Sequence, residues 1–322
     1  MATSGSVNYT QTRNDVIQDA LQHIGVYGIG RTVSSEDMNF ANNTLNKMIK
    51  AWQAKGIQLW TQEEGVLLIA DNTAEYTLSA DSTSARVTLD SDFIITELNG
   101  AHSASATTLT VDDTTGMAAS DIIGIVNDDD AVTWTTIVSV DSSTALTITA
   151  GLDGAAADNS NVYTFTSRIN KPLKIHSMRR ISGIDSGATT TQSEIPMVKL
   201  SRQEYMELPS KTLNGLPTHY YYNPDLTTGK LHLWPRPDDP EIYFKFSFSR
   251  MIEDLDADND NFDFPSEWLE AITYQLAVRL APAFGRDDKL NALVPIASKM
   301  LEDMLSWDNE VSSIHITPDI GY

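Results

Sequence analysis

The two ends of the chain have helical patterns, and the long stretch between them has the pattern of β-structure. Apolar residues recur at spacings of three and four within residues 13–55 and again within residues 268–307, which is typical of amphipathic helices. A short pair of helices cannot bury an apolar stripe by itself. The sequence therefore predicts an α+β fold in which the N- and C-terminal segments form one helical bundle and an antiparallel β domain is inserted between them.

Local capping patterns predict where the helices begin. An oxygen-bearing side chain followed three residues later by an acid is a helix-start signature, because both can accept backbone N–H groups of the first turn. The expected starts are Thr12 with Asp15, Ser34 with Asp37, Ser201 with Glu204, and Ser266. Gly25 and Gly56 are expected to end the first two helices, since glycine favours helix C-termini.

The central part of the chain shows alternating apolar and polar residues. The strand patterns around Val66 and Leu68 and within residues 74–78 flank an Asp71-Asn72 turn, which predicts a β-hairpin. Further strands are expected at residues 173–180, 220–222, 230–234 and 242–249. Tyr220, Tyr221 and Tyr222 would place rings on both faces of a sheet.

A block of different composition interrupts this β domain. Residues 98–166 are rich in Thr, Ser, Ala, Asp and Val and contain no Lys or Arg. Five short β patterns separated by Asp, Gly and Ser turns predict a small antiparallel sandwich or barrel. The expected domains are residues 1–62 with 266–310 (helical), 63–97 with 167–265 (β), 98–166 (inserted acidic module) and 311–322 (an extended C-terminal arm).

The charge balance argues against a sequence-reading DNA-binding protein. The 322-residue chain has 44 acidic and 22 basic residues and a net charge of −22, whereas affinity for the phosphate backbone comes from Lys and Arg. The acidity either confers solubility or forms a surface past which DNA slides. The absence of cysteine excludes disulfides and thiolate metal sites, and no membrane-span or export-leader pattern is expected.

One acidic segment has the spacing of a calcium site. Asp256, Asp258, Asp260 and Glu267 occupy positions one, three, five and twelve of an EF-hand loop. Asn261 stands where the loop needs glycine, and Pro265 falls inside it. The alternative is an acidic linker that leads into the next helix. No histidine pair has zinc spacing, and no nucleophile or nucleotide-binding motif is present, so no enzyme and no cofactor are predicted.

A basic cluster and several aromatic residues are the remaining candidates in the body of the chain. Lys171, Lys174, Arg179 and Arg180 concentrate positive charge and could face DNA or pair with acids of an adjacent subunit. Trp134, Trp234 and the tyrosine triplet could stack on sugars or belong to the core.

The end of the chain is predicted to bind a partner. Residues 311–322 contain Pro318 and Gly321 and are too short for a core of their own, yet several of their residues are apolar. The residues of this arm expected to contact that partner are Val311, Ile314, His315, Ile316, Ile320 and Tyr322.

Four stretches resemble a family of phage proteins. They are TRNDVIQDALQHIGV with LNKMIKAWQAKGIQLW; EEGVLLIADNTAEYTL; PMVKLSRQEYMELPSKTLNGLPTHYYY with GKLHLWPRP; and FDFPSEWLEAITYQLAVRLAPAFG. In pattern and order these are similar to the head-to-tail adaptor proteins of short-tailed bacteriophages, also called tail accessory or packaged-DNA stabilisation proteins. The inserted module resembles one found in longer members.

The resemblance implies a structural virion protein of the tail and neck, assembled in the cytoplasm of the bacterial host. Such proteins form a ring, usually of twelve copies, under the portal protein. The resemblance therefore implies that the partner of the C-terminal arm, residues 311–322, is the portal. The ring extends the DNA channel and provides the docking platform for the tail nozzle and fibre proteins, and genomic DNA passes without sequence-specific binding. Two alternatives remain open at this point: a carbohydrate-binding or host-recognition tail protein, and a calcium-dependent adhesin.

Overall fold

The chain forms two compact units, one built from two separate segments of the chain and the other from a single segment. The computed structural model describes residues 5–6, 8–56, 59–69, 73–182 and 193–308. One unit combines the two ends, Met1–Thr61 and Ile252–Tyr322, and the other is the central segment, Gln62–Met251. The predicted α+β class is confirmed, with helices at the two ends and strands in the middle.

In its described residues, the helical unit has four α-helices around one core. They are α1 (Arg13–His23), α2 (Ser35–Ala54), α4 (Leu269–Leu280) and α5 (Asp287–Trp307). A fifth helix, α3 (Arg202–Glu207), belongs to the β unit. The core of the helical unit draws on both ends of the chain, because Leu21 and Trp52 lie in the same buried cluster as Trp268 and Leu276. Trp52 and Trp268 are packed with ring centroids 6.1 Å apart.

Three of the four predicted helix starts are confirmed. The side chains of Thr12, Ser34 and Ser201 each accept a hydrogen bond from the backbone N–H three residues later. The carboxylates of Asp15 and Glu204 accept the backbone N–H of Thr12 and Ser201 in turn, which completes two capping boxes. The prediction for Ser266 is wrong. Pro265 precedes a 3₁₀ turn at Ser266–Trp268, no side chain caps it, and α4 begins only at Leu269.

The described part of the β unit forms three sheets. The first has the order β11–β10–β15–β1–β3, the second β12–β13–β14–β2 and the third β4–β9–β6–β7–β8–β5. Their strands, in chain order, are β1 (Gln62–Leu68), β2 (Glu75–Leu78), β3 (Val87–Leu89), β4 (Ile94–Glu97), β5 (Thr108–Thr110), β6 (Ile122–Val126), β7 (Val132–Ser142), β8 (Ala145–Ile148), β9 (Asn161–Phe165), β10 (Lys174–Ser182), β11 (Ser193–Pro196), β12 (Val198–Lys199), β13 (His219–Pro224), β14 (Gly229–Trp234) and β15 (Tyr243–Ser249).

The predicted hairpin between β1 and β2 is wrong. β1 pairs with β15 and β3 in the first sheet, whereas β2 pairs with β14 in the second. The two strands are close in sequence, but each pairs with different strands. β1 receives Phe246 of β15 over Gly65, where a Cβ atom would meet the ring at 2.7 Å, so long-range packing outweighs the local turn signal.

The third sheet contains the strands of the acidic module, residues 98–166, and also one strand that precedes it. β4, which precedes residue 98, pairs with β9. One face of the sheet encloses a small core that includes Leu109, Ile123 and Val162. A second cluster joins this sheet to the first, because Tyr163 and Phe165 are buried together with Val66, Leu68, Ile181 and Tyr243. The module therefore shares apolar surface with the rest of the β unit.

Candidate functional site

The residues predicted to bind the portal lie outside the described part of the chain. This applies to Val311, Ile314, His315, Ile316, Ile320 and Tyr322. The last described residue is Asp308, directly after the end of α5.

The EF-hand-like acids of the helical unit are engaged with the protein itself. One carboxylate oxygen of Asp260 accepts the backbone N–H groups of Asp256 and Ala257, at 2.8 and 2.6 Å. Asp258 pairs with Arg13, and Glu267 accepts a hydrogen bond from Ser266 at 3.4 Å. Within the ranges that the structure describes, no group of three acidic or histidine side chains is arranged to hold a metal ion.

Arg13 is the residue that organises this segment. Its side chain is only 5% exposed, and its guanidinium donates to the carbonyls of Leu255, at 3.4 Å, and Asp256, at 3.0 Å. The backbone N–H of Arg13 donates to the carbonyl of Asp260. Because a guanidinium is a fork of fixed geometry, it can hold several carbonyls at once. The sequence carried no local signal for this role, since the partners are 242 and 243 residues away.

Helix α2 holds the same segment from another side. The amide of Asn46 donates to the carbonyl of Leu255 and accepts its backbone N–H, both at 3.2 Å. Lys50 donates to the carbonyl of Ile252 at 2.8 Å and pairs with Asp254 at 2.7 Å. The acidic segment thus connects α1 and α2 with the chain that leads into α4.

The predicted basic cluster of the β unit does not form one positive surface. Lys174 and Arg179 lie on exposed positions of β10, while Arg180 is buried and donates to the carbonyl of Pro217 at 3.1 Å. Arg179 pairs with Glu194 of β11 at 3.0 Å. Lys171 donates to the carbonyls of Asp225 and Leu226. Because side chains alternate between the two faces of a strand and Lys171, Arg179 and Arg180 bind different acceptors, the positive charges lie in different environments.

The aromatic residues proposed for sugar stacking are buried or half-buried and contact other groups of the protein. The guanidinium of Arg86 lies 4.6 Å from the centroid of the Trp134 ring, whose other contacts include Phe165. Trp234 donates its indole N–H to the carbonyl of Ser210 at 2.7 Å. Tyr220 and Tyr222 are buried, so the predicted alternation of the triplet is confirmed.

Tyr221 belongs to a group of stacked rings that holds α3 on the second sheet. Its ring centroid lies 5.2 Å from that of Tyr205 on α3 and 5.5 Å from that of His232 on β14. Glu75 approaches Nδ1 of His232 at 3.8 Å. Burial lowers the pKa of His232, Glu75 opposes that effect, and Lys230 adds to it. No other residue of α3 is buried or half-buried, so Tyr205 is its main contact with the sheet.

Helix α5 presents apolar surface to solvent. Leu293 and Ala297 are buried, but Val294, Ile296 and Leu305 are exposed, and Trp307 is 60% exposed. Near the end of α5 a mainly apolar surface pocket of about 390 Å³ is lined by Trp60, Pro265, Trp307 and Asp308.

None of the described helices is long and apolar enough to cross a membrane. The family model described as SU10 adaptor protein matches residues 12–310, which is most of the chain. No curated protein matches it.

Proposed function

Because the chain belongs to the SU10 adaptor protein family, we propose that it forms a ring beneath the portal protein. The family is one of bacteriophage head-to-tail adaptors, which are structural proteins. In this proposal about a dozen copies extend the DNA channel and present a platform on which the tail nozzle and fibre proteins dock. The protein acts in the neck and tail of the virion after assembly in the host cytoplasm.

The observation that carries this proposal is the match of the family model over residues 12–310. The charge supports it, because a net charge of −22 lets DNA pass without binding. The exposed apolar residues of α5 offer surface for contacts between subunits. The C-terminal arm adds a strand to a portal sheet, where backbone hydrogen bonds provide affinity and alternate side chains provide specificity.

Electron microscopy of purified portal mixed with this protein tests the proposal. We expect an additional ring under the portal and co-migration of the two proteins in sedimentation. Portal without this protein is the control for the portal's own profile. Failure of the two proteins to co-migrate at every salt concentration tried would contradict the adaptor role.

A further inference from the structure

Two arginines of the β unit come together without an acidic partner. Arg86 precedes β3 and Arg168 follows β9, and both side chains are half-buried. Among the described residues neither guanidinium forms an ion pair, although acids outnumber bases by two to one in this chain. An unneutralised pair of cations is therefore unexpected here.

Two shared carbonyls hold the pair together. Arg86 donates to the carbonyl of Thr83 at 3.0 Å and more weakly to that of Ala85 at 3.5 Å. Arg168 donates to the same two oxygens, at 3.0 and 2.9 Å respectively. Each guanidinium carries five N–H donors, so most of the donors of the pair remain after these bonds are made.

The surroundings of Arg86 disfavour its charged form. Burial, and then the charge of Arg168, lower the pKa of Arg86 to about 10. Asp92, which contacts the two residues that precede Arg168, is already engaged, because it accepts hydrogen bonds from Ser167 and Thr166. Although burial opposes the effect, those bonds and one from Thr88 lower the pKa of Asp92.

A tryptophan fixes one side of the site. The guanidinium of Arg86 lies over the Trp134 ring, which itself packs against Gly124 so closely that a Cβ atom there would meet the ring at 2.6 Å. Stacking on a rigid aromatic ring restricts the orientation of the guanidinium, which reduces the entropy lost when it binds an anion.

The geometry points to an oxyanion site, and we propose that Arg86 and Arg168 bind a carboxylate from an acidic segment of a second copy of this chain. Adjacent guanidinium forks match the paired oxygens of a carboxylate. A carboxylate is favoured over a DNA phosphate because the rest of the chain repels nucleic acid, while a second copy supplies 44 acidic residues. The choice of a second copy as the partner rests on the ring assembly proposed above.

Binding of a fluorescein-labelled hexa-aspartate peptide to the full chain tests the site without the portal. At low ionic strength we expect saturable binding by fluorescence anisotropy, and about tenfold or greater weakening in R86Q/R168Q. R86K/R168K keeps both charges but loses the forks, so it should also bind more weakly than the wild type. The control R202Q/K299Q removes the same charge from two exposed positions and should bind like the wild type.

Equal binding by R86Q/R168Q, with its melting temperature unchanged, would overturn the proposal. Preference for a labelled duplex DNA over hexa-aspartate would also overturn it, in favour of a phosphate site. In the portal mixture we expect R86Q/R168Q to give incomplete rings. Complete rings from this variant would remove the role in subunit contact, whereas absence of rings from the wild type, with peptide binding intact, would contradict the adaptor proposal and leave only a carboxylate site.

Discussion

Single side chains of this protein connect segments that are far apart in the sequence. Arg13 connects the first helix to the acidic segment through carbonyls of Leu255 and Asp256. Its ion pair with Asp258 is different in character, because the Asp258 side chain is 74% exposed. Exposed ion pairs contribute little, whereas buried acceptors that lose their donor are costly.

Replacement of Arg13 should therefore cost much more stability than replacement of its acidic partner. For R13A we expect a loss of about 2–4 kcal/mol in the free energy of unfolding, because the buried carbonyl of Leu255 and the part-buried carbonyl of Asp256 lose their donor. For D258N we expect a loss below about 1 kcal/mol. Denaturant unfolding of both variants measures the difference, and equal losses would show that the ion pair is the important contact.

His232 should make the stability of the β unit depend on pH. Burial lowers its pKa, so the unfolded chain binds a proton at higher pH than the folded chain does. The stability that neutral His232 contributes is fully present above the ordinary histidine pKa of about 6.5. It is lost as the pH falls from that value through the lower pKa of the folded state. The melting temperature should fall less between pH 7.5 and 5.5 in H232Q than in the wild type.

The matched control for this prediction is H219Q, which removes an imidazole from the neighbouring strand β13. Its melting temperature should follow the wild-type pH dependence. If H232Q and the wild type lose the same amount of stability on acidification, His232 is not the group responsible.

At the scale of elements, neighbouring segments of the chain are often separated in the fold. β1 and β2 join different sheets, and the acidic module shares a core with the first sheet. Burial of Phe165 and Tyr163 against Val66 and Leu68 ties the module to the β unit. An inserted sequence block is thus not the same as an independent domain.

Deletion of residues 98–166 with a short Gly-Ser join should therefore destabilise the β unit. The deletion removes Tyr163 and Phe165 and exposes Val66 and Leu68, which also favours aggregation. A point variant isolates the effect: F165A should cost about 3–5 kcal/mol. V138A, on the same sheet but 53% exposed, should cost less than about 0.5 kcal/mol. A deletion variant that is soluble and melts like the wild type would show that the module is dispensable.

At the scale of the whole molecule, its charge and its exposed surfaces suit assembly. The cores of both described units consist of residues before Asp308. Helix α5 exposes apolar residues, and the apolar arm residues follow it in sequence. Folding and attachment to a partner are therefore expected to depend on different parts of the chain.

Truncation after Asn309 should greatly weaken attachment to the portal and leave the melting temperature nearly unchanged. The reason is that the proposed role of the arm is to contact the portal, while the described cores consist of residues before Asp308. Co-sedimentation with portal and a thermal melt measure the two effects. I314S/I316S in the full chain should weaken attachment in the same direction, and D319N serves as a matched tail substitution. Attachment of the truncated protein at wild-type level would move the portal contact to the helical unit.

The sequence by itself determined the features that depend on neighbouring residues. The capping of α1, α2 and α3 involves residues three positions apart, and the alternation of the tyrosine triplet follows from strand geometry. Amphipathic spacing likewise predicted the helical ends and the α+β class.

Only the tertiary structure decided which distant groups meet. Arg13 and Asp256 are 243 residues apart, and Arg168 and Thr83 are 85 apart, and nothing in either local sequence specifies the partner. The Asp71-Asn72 turn pattern predicted that β1 pairs with β2. Instead β1 pairs with β15, where the ring of Phe246 packs on Gly65. Such contacts depend on the shape of the folded core, which a local pattern does not contain.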